Sequence, residues 1–343
     1  MNHNGDRKTR TNLPTPARCA LPVAKRSRRR ASWIASAAIT VAVVGAAVGL
    51  AASGGCVAIA ARLIAYAPNH GRSIDTQRPT DAAELRERGV NESLRVRVGP
   101  PEASLAVWIV EPQGPARGTI LYLHGIFDSK SSLLPTAHSH AQRGYRGVLV
   151  DSRGHGESTG EWLTYGAQEA EDYSQVLDEL QRRGLLAGRL GVYGCSYGAG
   201  VAVQLAGRDD RIAAAVVLAP FSSMREIVLA RVRSLHLDWA FNERTIAAAI
   251  ERAGELAGFD PAKADGVAAL GYRALPLLVI HGQEDRTIPS EQGVRLCAAA
   301  GRDARLVLIP GATHDDWTDA GRASLWIESS AWFDDWLAPR PGR

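Results

Sequence analysis

Apolar and polar positions fall into short blocks along this chain, and the period changes from block to block. Apolar runs bounded by turn residues predict strands at Leu94–Val98, Leu105–Val110, Thr119–Leu123, Gly147–Val150, Leu190–Tyr193, Ala213–Leu218, Leu277–Ile280 and Leu306–Ile309. Between the later runs, 3.6-residue periodicity predicts helices at Leu133–Arg143, Gly166–Arg183, Ser196–Ala206, Ser290–Ala300 and Arg322–Trp336. The first two strands follow closely and alternate apolar with polar, as a half-exposed antiparallel edge does. The later ones are continuous Val/Leu/Ile runs, as strands covered on both faces are. Strands alternating with helices mean an α/β fold with a doubly wound, mostly parallel sheet. Such sheets gather their chemistry at the carboxyl ends of the strands.

Two stretches break this rhythm. From Pro220 to Leu275 there is helical patterning (Met224–Leu237, Glu243–Ala257, Pro261–Leu270) and no strand, which reads as a small helical cap at about 221–274. From Ala31 to Ala61 there are 31 residues without a charge, between Arg30 and Arg62. A bilayer core needs only ~20 apolar residues as a helix, and the glycines here are tolerated in such helices. The expected layout is a disordered basic arm at 1–30, a transmembrane helix or signal anchor at 31–62, a connecting segment at 63–91 with one short helix (Asp81–Arg88), and a catalytic-sized domain at 92–343.

Charge supports that layout. Residues 1–30 hold nine Lys or Arg against Asp6 alone, a balance of +8, so the rest of the chain carries −4 of the total +4. The positive-inside bias keeps the N-terminus cytoplasmic and exports the body. A rival reading removes the segment: Ala58-Ile59-Ala60 resembles a small-residue cleavage site and Arg28-Arg29-Arg30 resembles a twin-arginine signal, which would give a secreted or periplasmic protein. The body has no basic stripe, which excludes a nucleic-acid footprint. Cys19, Cys56, Cys195 and Cys297 lie far apart without metal-ligand spacing, so no disulfide framework, metal or other cofactor is expected.

The chemistry concentrates in one corner. Gly194-Cys195-Ser196-Tyr197-Gly198 follows a strand and opens a helix, and so matches G-x-S-x-G. A nucleophile on such a corner sits in strained backbone, and its glycine neighbours let strand and helix approach. A serine hydroxyl needs a base, and the base an orienting acid. "LLVIHGQEDRTIP" places Asp285 just beyond one strand and "LVLIPGATHDDW" places His314 just beyond the next, in the order Ser196, Asp285, His314. Glu284 is expected to be solvated, His281 to be a structural strand-end residue, and Asp315 and Asp316 to face solvent or cap a helix. The oxyanion needs two backbone donors. The N–H of Tyr197 is one; the loop of "TILYLHGIFDSK" offers that of Ile126, with Phe127 as fallback, where Gly125 turns the chain and His124 supports the loop.

Two other patterns read as structural. "VLVDSRGHGES" lacks the Lys-Ser/Thr ending of a phosphate cradle and reads as a loop lining the site in which Asp151 and Arg153 pair. His138-Ser139-His140 has i,i+2 spacing, which on a helix does not converge on a metal; it reads as a solvated face.

"LYLHG" (121–125), "DSRGHGES" (151–158), "GCSYGAG" (194–200), "HGQEDRTIP" (281–289) and "GATHDDW" (311–317) occur in order. With them the chain from about Leu94 to Trp336 resembles the α/β-hydrolase superfamily, and within it the small lid-bearing serine hydrolases described as serine-aminopeptidase-like or Bem46-like. Many of those carry an N-terminal membrane segment. Ser196 stands where haloalkane dehalogenases and epoxide hydrolases use Asp. The cap lacks the tyrosine pair of epoxide hydrolases, and the chain has no room for the propeller of prolyl-oligopeptidase-like peptidases.

The resemblance implies a membrane-anchored serine hydrolase acting on a small acyl ester or thioester, with lipid-derived acyl groups as an analogy. A serine aminopeptidase or an acyltransferase would use the same residues. From another class, a catalytically silent, membrane-tethered binding module remains open.

Overall fold

The computed structural model describes residues 55–69 and 81–338. The expected basic arm and the expected membrane segment up to residue 54 lie outside the described residues. The first described helix is α1 (Gly55–Ala65), followed by α2 (Ala82–Glu87), whose N-terminus is capped by the Asp81 carboxylate. The strands are β1 (Glu92–Val98), β2 (Ala103–Val110), β3 (Gly118–Leu123), β4 (Tyr145–Val150), β5 (Arg189–Cys195), β6 (Ile212–Leu218), β7 (Leu277–Gly282) and β8 (Ala304–Ile309). They form one sheet in the order β1-β2-β4-β3-β5-β6-β7-β8, with β1 and β2 antiparallel to their neighbours and the rest parallel.

Helices cover both faces. On one face α4 (Glu169–Arg182), α5 (Tyr197–Arg208), α8 (Gly266–Leu270) and α9 (Glu291–Ala300) pack over Leu121, Val148, Val192 and Val217. On the other, α3 (Leu134–Ala141) and α10 (Asp319–Leu337) pack over Ile120, Leu149, Val216 and Ile280. Fully buried aliphatic side chains on this scale, each worth roughly 1.5–3 kcal/mol, are what hold a parallel sheet between two helical layers. The sheet is therefore a rigid platform, and the loops at its carboxyl ends inherit that rigidity.

The antiparallel start of the sheet agrees with the pattern, but its exposure does not. β2 was expected to be half-exposed, yet all but one of its residues are buried. Leu105, Val107 and Ile109 enter one core layer and Trp108 and Val110 the other, so both faces are covered.

Between β6 and β7 the chain runs through α6 (Met224–Ser234), α7 (Glu243–Ala257), a single 3₁₀ turn at Pro261–Lys263 and α8. The Pro261–Leu270 run expected as one helix is thus two elements, because Asp265 caps α8 through the Ala268 N–H and starts a new helix there. Ser223 caps α6, Asn242 caps α7, and α7 ends on Gly258 at φ +69°, a left-handed position that glycine adopts without a Cβ clash.

α1 belongs to this layer. Ala61 and Ala65 are fully buried among Met224, Val228, Leu229, Ile246 and Ile250. Residues 55–62 of the stretch expected to span a membrane therefore form the start of a helix packed on the α6–α7 pair. Among the described residues no helix is long and apolar enough to cross a membrane.

Candidate active site

Ser196 occupies the corner between β5 and α5 at φ +51°, ψ −113°. For a residue with a Cβ this is strained backbone, costing of order 1–3 kcal/mol, and it persists only where the surroundings hold it. They hold it by close approach. A Cβ on Gly194 would lie 2.5 Å from the Gly198 carbonyl oxygen, and one on Gly198 would lie 2.3 Å from that of Leu123. Only glycine lets β5, α5 and the end of β3 meet so tightly. The Ser196 N–H donates to the Leu218 carbonyl at 2.8 Å, which ties the corner to β6.

Asp285 and His314 arrive from the ends of β7 and β8. Ser196 Oγ stands 2.9 Å from His314 Nε2, and His314 Nδ1 stands 2.7 Å from Asp285 Oδ2. An ionised carboxylate only accepts, so Nδ1 carries the imidazole proton and Nε2 is left to accept from the serine hydroxyl. Asp285 Oδ1 accepts the backbone N–H groups of Thr287 at 2.9 Å and Ile288 at 2.8 Å. Burial alone would raise this carboxyl. The hydrogen bonds from His281, His314 and the Ile288 N–H outweigh it and hold the group well below the usual carboxylate range.

His281 does more here than end a strand. Its Nε2 donates to the Ile288 carbonyl at 2.8 Å and lies 3.5 Å from Asp285 Oδ2, so it closes the acid's loop from behind. The i,i+4 spacing of His281 and Asp285 across a turn was the available signal. Glu284, Asp315 and Asp316 are exposed.

The loop after β3 passes over Ser196: the place of a Cβ on Gly125 is 3.7 Å from Ser196 Cβ. Among the described residues no acceptor takes the N–H of Tyr197 or of Ile126. Ile126 is half-buried, and Phe127 has φ +59° and is 70% exposed. His124 is fully buried; its Nε2 accepts the Ser152 N–H at 3.0 Å and its Nδ1 donates to the Gly125 carbonyl at 2.8 Å. Burial lowers its pKa, which keeps the ring neutral in this arrangement.

The far end of the same loop is pinned by a group that the sequence reading missed. Lys130 Nζ contacts Asp151 at 2.6 Å and Glu157 at 2.7 Å, its backbone N–H donates to Asp151 Oδ1 at 2.7 Å, and its ammonium lies 4.4 Å from the Trp108 ring centroid. Asp151 was expected to pair with Arg153. Arg153 instead grips Asp172 of α4 with bonds of 2.8 and 2.7 Å. Neighbours two apart in a turn point to different sides, and the partners come from other elements. His140 also departs from expectation. It is fully buried, bonded through Nδ1 to the Tyr122 hydroxyl at 2.9 Å and set against the Phe333 and Trp326 rings, because α3 turns this position toward the sheet.

Comparison with known proteins agrees with this architecture. Residues 102–253 match the family described as X-Pro dipeptidyl-peptidase (S15 family), a span that includes Ser196 and stops before Asp285 and His314. The protein YqkD of Bacillus subtilis is 27% identical over 180 residues, covering 52% of this chain and 58% of that one. The peptidase YuxL of the same organism is 27% identical over 215 residues, covering 57% of this chain and 31% of that one. The chain thus spans less than two thirds of the length of these curated relatives. Among solved structures, an esterase of Pyrococcus furiosus superposes with a TM-score of 0.60 at 18% identity, covering 79% of this chain and 99% of that one. Sheet order, the corner at Ser196 and these likenesses lead to one assignment: the chain has the α/β-hydrolase fold.

Proposed function

We propose that the protein is a membrane-anchored serine hydrolase that cleaves an acyl ester or thioester through an acyl-enzyme. The observation that carries this reading is the unbroken line of hydrogen bonds from Ser196 Oγ through His314 to Asp285. Ser196 Oγ attacks the acyl carbonyl as His314 Nε2 takes its proton, and the Asp285 carboxylate holds the Nδ1–H tautomer and stabilises the imidazolium. The N–H groups of Tyr197 and Ile126 receive the developing oxyanion. The imidazolium returns the proton to the leaving oxygen or sulfur. Water, deprotonated by His314, then attacks the acyl-enzyme, and Ser196 leaves with the proton back on Oγ.

The tether is read from the uncharged stretch at 31–54, ahead of α1, and the basic arm before it. In this reading the N-terminus is cytoplasmic, the catalytic domain is exported, and the substrate is a small molecule with a lipid-derived acyl group. An alkaline wash of membranes tests the tether: the intact chain is expected in the pellet, and recovery in the wash overturns anchoring. A peptidase reading has its own support in the match to the X-Pro dipeptidyl-peptidase family. It uses the same residues on an amide.

A fluorophosphonate probe tests the hydrolase reading. The native protein is expected to label, while Ser196→Ala abolishes labelling and His314→Ala slows it by a factor on the order of 10⁴ or more. Labelling that survives Ser196→Ala overturns the reading. Turnover of aminoacyl amides ahead of acyl esters moves the assignment to the peptidase.

A further inference from the structure

Glu169 opens α4 with no exposed surface, and all four donors it meets are neutral groups. Its Oε1 accepts from the Thr164 N–H at 2.8 Å and the Tyr197 hydroxyl at 2.6 Å; its Oε2 accepts from the Gly166 N–H at 2.8 Å and from the Thr164 hydroxyl. The Arg153 guanidinium acts on Glu169 only through space, without a salt bridge, and a buried carboxylate with no direct counter-ion is expensive unless its lone pairs are filled. Three of the four donors are local and close the loop before α4. The fourth comes from the residue that follows the nucleophile.

The Tyr197 hydroxyl is held from two sides. It donates to Glu169 and accepts the Tyr165 N–H at 3.1 Å, and the residue's ring is buried against Tyr165 and Phe221. Its backbone begins α5 beside Ser196, whose positive φ needs restraint from both sides. The β6 carbonyl of Leu218 supplies one restraint, and the Tyr197 side chain is placed to supply the other.

We propose that Glu169 is a positioning residue, which through the Tyr197 hydroxyl holds the backbone N–H of Tyr197 and the strained Ser196 in line with His314. The inference rests on the serine-hydrolase reading above. It assigns the buried acid to the precision of the oxyanion donor, and gives the Tyr197 side chain a task separate from that of its own N–H.

The test uses the full-length protein and four variants: Tyr197→Phe, Glu169→Gln, their double, and Ser196→Ala. The readouts are kcat and KM on a p-nitrophenyl ester, and binding of a trifluoromethyl ketone that forms a tetrahedral adduct. Each single variant is expected to lower kcat roughly ten- to a hundredfold, with KM within about twofold and ketone affinity falling in parallel with kcat. The double is expected to be no worse than Tyr197→Phe, because Glu169 acts through that hydroxyl. If Glu169→Gln fails to fold, Tyr197→Phe still decides. Unchanged kcat in Tyr197→Phe overturns the proposal, as does a loss of melting temperature with kcat intact. Turnover that persists in Ser196→Ala overturns the underlying hydrolase reading instead.

Discussion

The loops at the strand ends and the cap above the sheet are held by different kinds of force. At the rim, each residue of interest is fixed by directional bonds to buried or half-buried partners: Asp285 by two backbone N–H groups and the His314 imidazole, His124 by Ser152, Lys130 by Asp151 and Glu157. In the cap, α1, α6 and α7 meet mainly through alanine and aliphatic side chains such as Ala61, Ala65, Val228, Ile246 and Ile250, and the charges of Arg225, Arg233 and Glu243 lie outside. Directional bonds set atoms to tenths of an ångström, which the proposed acyl transfer requires. Apolar contacts between small residues set only a distance between helices, and they can slide. The difference assigns precision to the rim and adaptability to the cap.

The comparison breaks most severely at Lys130. Replacing it with Met removes the cation from a fully buried Asp151 and leaves two backbone donors to stabilise that carboxylate. Breaking one side of a buried pair costs about 3–5 kcal/mol, and the lower end applies because those donors remain. Urea unfolding of Lys130→Met is expected to give that loss. The loop from His124 to Lys130 also loses its far anchor, so ester kcat should fall about a hundredfold. A variant of native stability and activity would show that the rim does not depend on its buried ions.

The rim's neighbour across the sheet is sensitive to acid. Burial pushes the His140 imidazole down to about 3, with the Arg143 charge adding to this and Asp334 opposing it. An unfolded histidine titrates near ~6.5. As pH falls, the unfolded chain therefore binds the proton first, and stability present above ~6.5 is lost progressively down to about 3. At a pH of about 4.5 the loss from this group alone is roughly 2–3 kcal/mol. His140→Gln, which keeps an acceptor for the Tyr122 hydroxyl, should flatten that part of the stability–pH curve. An unaltered acid slope would assign the loss to other groups.

These same residues show where sequence reading stops. Strand positions, the glycine-flanked corner and the strand-end places of Ser196, Asp285 and His314 were legible, because each follows from local period and turn chemistry, and the structure brings the three side chains together. The partners of Asp151 and Arg153 were not legible, since each pair joins residues 19 to 21 apart through tertiary placement. His140 looked solvated because histidine is as common outside as in, and only the packing of α3 on the sheet decides. Glu169 had one faint signal, an acid in the first turn of a helix shortly after Thr164, which reads as an ordinary end of a helix until Tyr197 is seen against it. α1 was masked by the stronger membrane pattern of the residues before it.

The mildest change tests the cap's side of the comparison. Ile250 is buried in α7 among Ala61, Met224 and Ile246, away from any directional bond. Ile250→Val removes one methylene, which costs about 0.5–1.5 kcal/mol. If the cap is a separately adjustable layer, this loss is paid locally: amide exchange should quicken in α1, α6 and α7, while β3, β5 and β7 keep their protection. Turnover of a short ester should stay within about twofold, since no rim bond is touched. Faster exchange throughout the sheet would mean that cap and sheet unfold as one unit, and adaptability would then have to come from loops alone. Local exchange with unchanged chemistry would instead separate the layer that admits substrate from the layer that reacts with it, because sliding apolar contacts cost the first nothing and the second its geometry.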